Sequence, residues 1–187
     1  MLCAETIANC LILLASQEDE FEPMTHLRLQ KLLYYVQGWS LAMRGNPAFG
    51  EEVQAWREGP VVSPVYQVFK EFEARPIGRE HMTEEPQLDR EIEGFIRSIW
   101  EAYKKYSATE LRRKTHTEAP WLKARGDTPP NGSSNNEITH DSMLRFFAEE
   151  FRREQFGDLS IERYRQSEEA FRAQRGKRFS DICLATA

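Results

Sequence analysis

The sequence predicts a mainly α fold, and three observations predict it. From Leu88 onward, Leu88, Ile92, Phe95, Ile96, Ile99, Trp100 and Tyr103 follow a helical period without a miss. The segment "THLRLQKLLYYVQGWSLAMRG", 25–45, carries a wide apolar face of Leu29, Leu32, Leu33, Tyr35 and Val36, which Trp39 and Met43 extend. Against these, one short run, "EEVQAWR", alternates as a strand does. The expected fold is a compact helical domain with a small extended or β element near residues 53–57 and 77–82.

The elements follow in chain order. Ile7, Leu11 and Leu14 place a short helix over residues 3–16. The long segment after it has Thr25 as N-cap and Gly45 as its stop. Residues 53–57 form an extended arm, which could pair as a ribbon with the stretch from Ile77 to Met82. After Gly59-Pro60 the period changes: Ser63 as N-cap and Pro64 at the first helical position open a helix through Val65, Val68, Phe69 and Phe72. Ser107 and Glu110 make a capping box for a further helix, which Pro120 should end. "GDTPPNGSSNN", 126–136, is an exposed, mobile loop. Thr139 then caps a helix with Leu144, Phe147 and Phe151 inside, and Ile138 staples onto Met143. Residues 1–157 make one domain. Residues 158–187 form a weakly anchored C-terminal helix, with six Lys or Arg against three Glu between 160 and 178.

Composition excludes several function classes. The 187 residues carry a formal net charge of −5, so no basic excess marks a nucleic-acid surface. Cys3, Cys10 and Cys183 are odd in number and form no CxxC pair, which fits reduced thiols in a cytoplasm. The N-terminus lacks a basic region and a long apolar core, and no run is long enough to cross a bilayer. His26, His81, His116 and His140 lie outside any HxxxH or HxxH spacing, so neither metal nor cofactor is expected. No GxSxG is present, and "REGPVV" makes a poor phosphate cradle because proline lacks an N–H. Catalysis is not expected. One polar set, Lys31, Tyr34, Glu58 and Tyr66, could form a site. The simpler expectation is a solvated Lys31 and tyrosines whose rings are buried and whose hydroxyls are wet.

Three blocks, "LRLQKLLYYVQGWSLAMRGNPAF", "VQAWREGPVVSPVYQVFKEF" and "SATELRRKTHTEAPWLKAR", resemble in order the signature blocks of the Panacea (SocA-like) domain family. The resemblance spans about residues 22–152. Its shared positions are Leu29, Lys31, Leu32, Tyr34 and Tyr35, then Trp56, Gly59, Pro60, Val61 and Tyr66, then Thr115, His116, Pro120 and Trp121. Glu58 departs from the pattern, since family members often carry His or an aromatic there, and Ser63-Pro64 replaces a proline at an earlier position. The resemblance implies an antitoxin, associated with phage and mobile elements, that neutralises a protein toxin encoded nearby by direct contact and in some cases delivers it to a protease. The shared positions then read as scaffold, with a Trp56–Gly59–Pro60 corner and Trp121 plugging a helix end. The toxin would be read by the N-terminal segment, the 126–136 loop and the basic tail, with Phe171, Arg172, Arg175 and Arg178 as candidate contacts. The alternatives are a DNA-binding repressor acting through that tail and an enzyme built on Lys31, Tyr34 and Glu58.

Overall fold

The computed structural model describes residues 2–18 and 20–156. Among them the chain forms seven α-helices: α1 (Ala4–Ala15), α2 (His26–Trp39), α3 (Ser63–Phe69), α4 (Arg90–Tyr103), α5 (Ala108–Thr115), α6 (Ala119–Arg125) and α7 (His140–Phe156). One antiparallel ribbon, β1 (Val53–Trp56) with β2 (Gly59–Val62), joins α2 to α3. The mainly α expectation is met. The tail expected over 158–187, with Phe171, Arg172, Arg175 and Arg178, lies outside the described residues.

The central element is α2, packed against α1, α3, α4, α5, α7 and β2. Its start is fixed as expected, since the Arg28 N–H donates to Thr25 Oγ1 at 3.3 Å. Its end widens into a π-turn over Ser40–Arg44 and stops at Gly45, whose φ of 72° lies in the left-handed region glycine tolerates. Gly38 lets α7 approach: an alanine Cβ there would fall 2.0 Å from the Phe147 ring. Phe147 sits edge-on to Tyr34 and Trp39, with ring centroids 5.4 and 5.2 Å away, and so closes the core.

The amphipathic pattern of α4 is realised against α1 and α2, with Ile96, Ile99 and Trp100 buried. Asp89, not Leu88, starts it, accepting from the Ile92 N–H at 2.8 Å. The Ser107–Glu110 capping box forms, and Thr139 Oγ1 accepts from the Ser142 N–H at 3.2 Å, with Ile138 and Met143 both buried.

Four expectations are corrected. The partner of residues 53–56 is 59–62, the adjacent segment, because the turn at Arg57-Glu58 brings Ala55 opposite Pro60 and Trp56 opposite Gly59. Residues 79–81 form a 3-10 turn instead, and the Ile77 N–H donates to Met24 O at 2.7 Å. Pro120 does not end α5, which stops at Thr115; it sits in the first turn of α6, where the missing N–H costs nothing. Ser63 is the first residue of α3 rather than its cap. The 126–136 loop is exposed but tied down. The guanidinium of Arg125, itself buried, donates to Gly132 O at 2.9 Å and Pro129 O at 2.7 Å, and the Ala55 N–H donates to Asn136 O at 2.8 Å.

Candidate functional site

Helix α2 buries nearly its whole circumference, including Arg28, Gln30, Lys31 and Gln37. A buried polar group needs a partner, and each of these side chains finds one in the backbone of another segment. Arg28 donates to Glu22 O and, at 2.5 Å, to Lys104 O. Gln37 donates to Phe49 O at 3.1 Å and accepts from the Ala48 N–H at 2.8 Å. Gln30 Oε1 accepts from the Val62 N–H at 2.8 Å, and Lys31 Nζ donates to Pro60 O at 2.9 Å. Gln30 and Lys31 thus fasten the ribbon to the core, while Arg28 and Gln37 tie down the flanking loops.

Lys31 is the largest departure from expectation. It is 0% exposed, not solvated, and burial lowers its pKa to about 7, with Glu58 opposing the shift and Arg112 adding to it. Gly59 explains how the ammonium fits. Its φ is 103°, and a Cβ there would stand 2.8 Å from Lys31 Cε and 2.9 Å from Thr115 Oγ1, so only glycine meets both demands. Around the turn, Glu58 Oε2 receives Arg112 Nε at 2.5 Å and Glu58 Oε1 receives Arg57 Nε at 3.0 Å. Partial burial works against the Glu58 carboxylate, but the two guanidiniums outweigh it and hold its pKa below the usual range. His116 stacks on Trp121 with centroids 4.1 Å apart and faces Arg57 O at 2.9 Å. Trp121 donates from Nε1 to Trp56 O at 3.0 Å, so the third sequence block clasps the second.

The first and third blocks meet at a buried carboxylate. Tyr35 donates to Glu118 Oε1 at 2.9 Å, while the Tyr34 hydroxyl and Glu118 Oε2 are buried with no hydrogen bond of their own. Burial raises the Glu118 pKa, opposed by the two tyrosines, and burial followed by the Glu118 charge pushes both phenols up. The Tyr34 hydroxyl is buried rather than wet, whereas Tyr66 is half-buried and lines an open cavity. The set Lys31, Tyr34, Glu58 and Tyr66 is not one cluster: Tyr34 lies with Glu118, Lys31 feels the Glu58 charge from within the core, and Glu58 and Tyr66 line a common cavity. Leu29, Leu32 and Pro120 are plain core, and no group of three or more His, Cys, Asp or Glu able to hold a metal occurs among the described residues.

A concave site lies beside the ribbon turn, and the sequence reading missed it. A cavity of about 860 Å³ opens between the start of α2, the ribbon turn, α3, the start of α5 and the 131–135 loop. Trp56, Tyr66 and His26 form one wall, with successive ring centroids 4.7 and 4.5 Å apart. Trp56 is half-buried here, not sealed in the core as the scaffold reading implied. Its indole is held by a bond from Nε1 to Gln54 Oε1 at 2.9 Å. His26 is 6% exposed and Gln30 2%, and the Nε2 atoms of both lack a hydrogen-bond partner. Burial, with Lys31 adding to it, lowers the His26 pKa to about 4. The signal available in the sequence was the i, i+4 spacing of His26 and Gln30, which puts both on one face of α2. Nothing in the sequence said that face would be hollow.

A family model described as "Antitoxin SocA-like, Panacea domain" matches residues 29–122. Among curated proteins, "Antitoxin SocA" of Caulobacter vibrioides (strain NA1000 / CB15N) is 31% identical over 144 residues, covering 71% of this chain and 73% of that protein. No solved structure matches the chain. The matched region starts within α2 and ends within α6, so it takes in the second block whole and most of the first and third.

Proposed function

The chain belongs to the SocA-like antitoxin family of Panacea-domain proteins, and from that premise we propose that it neutralises one protein toxin by binding it directly. The observation that carries this reading is the division of labour in the molecule. The positions shared with the family, Lys31, Tyr35, Gly59, Thr115 and Trp121 among them, are spent on joining α2, the ribbon and α5–α6 to one another. Other motif positions, Trp56, Val61 and Tyr66, instead line an open cavity, where a partner can be met. Capture can silence a toxin by covering it or by handing it to a protease, and the toxin's half-life in cells separates the two.

The test is co-expression with a toxic protein encoded beside its gene. Growth should be rescued, and the two chains should co-purify as one species in size-exclusion chromatography. Rescue with no complex, accompanied by protection of the operator DNA in a footprint, would overturn contact neutralisation in favour of repression.

A further inference from the structure

We propose that the cavity between α2, the ribbon turn and the 131–135 loop is the toxin-reading pocket, and that it takes an aromatic side chain flanked by basic residues on an extended segment of the partner. The inference deepens the antitoxin reading and rests on it.

Three features define the occupant. The wall is a run of rings, Trp56, Tyr66 and His26, which favours an aromatic face packed against it. Gln30 cannot turn its amide over, because its Oε1 already accepts from Val62 N–H; its Nε2 is therefore a fixed donor with no acceptor. An unpaired buried donor is costly and is satisfied by a carbonyl of an incoming main chain. The rim carries Glu22, Glu58 and Glu73; Arg57 and Arg112 pair with Glu58, which leaves Glu22 and Glu73 to favour lysine or arginine beside the ring. The size fits as well, lying within the range of pockets that enclose a ligand of several hundred daltons. Glu73, at the mouth, is the one non-glycine residue with positive φ among the described residues, at 49°. Such backbone strain concentrates at binding sites.

The probe is the blocked tripeptide acetyl-Arg-Trp-Arg-amide, with Arg-Ala-Arg and Glu-Trp-Glu peptides as controls. It is titrated into the full chain and followed by the side-chain amide resonances of Gln30. The tryptophan peptide should move those resonances and bind at least about tenfold more tightly than either control, the scale of one anchor residue. Thr109→Trp, at an exposed position on the rim, should abolish the shift and weaken co-purification with the neighbouring toxin by a similar factor, with the thermal transition unchanged. Equal affinity for the three peptides overturns the proposal. So does a Thr109→Trp protein that loses the peptide yet holds the toxin as before; in that case contact neutralisation stands and only the pocket's role falls. If the unaltered protein neither rescues growth nor co-purifies, the antitoxin reading fails, and the toxin as occupant fails with it. Binding that occurs only after truncation at Gly157 assigns the pocket to the chain's own Arg163-Tyr164-Arg165 and overturns a toxin occupant.

Discussion

Gly38→Ala should destabilise the protein, although alanine is the better helix former. The propensity gain is about 1 kcal/mol. The added methyl lands inside the Phe147 ring, at 2.0 Å, and overpacking of that kind costs about 1–3 kcal/mol. Overpacking wins, and a lowered thermal midpoint checks it; a raised midpoint would mean that α7 yields freely. Lys31 gives a second expectation, in pH. Its folded pKa, about 7, lies below its unfolded value of 10.5, so between these the unfolded chain binds more protons and stability rises with pH. Cys10 has the opposite sign: burial raises it from 9.0 to about 11, and stability falls above pH 9. The clean window is therefore pH 7 to 8.5, where chemical-denaturation stability should climb in the unaltered protein and stay flat in Lys31→Met. Neither the burial of Lys31 nor the close approach at Gly38 was legible in the sequence. Lysine is usually solvated, and the partner that allows its burial is a backbone carbonyl 29 residues further along, of which no side-chain pattern gives notice.

At the scale of elements, periodicity served well wherever a helix had one wet face. The α4 pattern, the Ser107 capping box and the Thr25 and Thr139 caps all formed where the residues called for them. It failed at junctions. The ribbon's true partner strand, Gly59–Val62, is buried along its whole length and so shows no alternation. The helix α6 was hidden by Pro120, read as a stop when it marks a start. The 131–135 loop looked free because its sequence is polar, yet Arg125 clamps the segment just before it from below. Arg125→Ala should therefore free the loop while sparing the helices. Amide exchange at Ala55, whose N–H is bonded to Asn136 O, should accelerate by an order of magnitude or more, with α4 amides unchanged. Unchanged exchange at Ala55 would show that the ribbon edge holds the loop without help.

For the molecule as a whole, the described residues share one buried core, from Ala4 in α1 to Ala148 in α7. A chain ending at Gly157 should keep its cooperative thermal transition; an insoluble product would place part of the core beyond that point. Reversing the charges of Arg172, Arg175 and Arg178 should leave the fold intact and slow toxin association, most visibly at low salt. Unaltered association would remove the tail from recognition. The three family blocks have a further consequence, in the time it takes to make the protein. Tyr35 waits for a carboxylate 83 residues later in the chain, and Trp56 accepts from an indole 65 residues later. At about 5–20 residues per second, the first of these delays lasts roughly 4–17 s of synthesis. For most of it α2 has the partners at Phe49, Pro60 and Val62 but neither Lys104 nor Glu118. On the proposed contact reading, a nascent chain is then no antidote, and relief depends on copies finished before the toxin is.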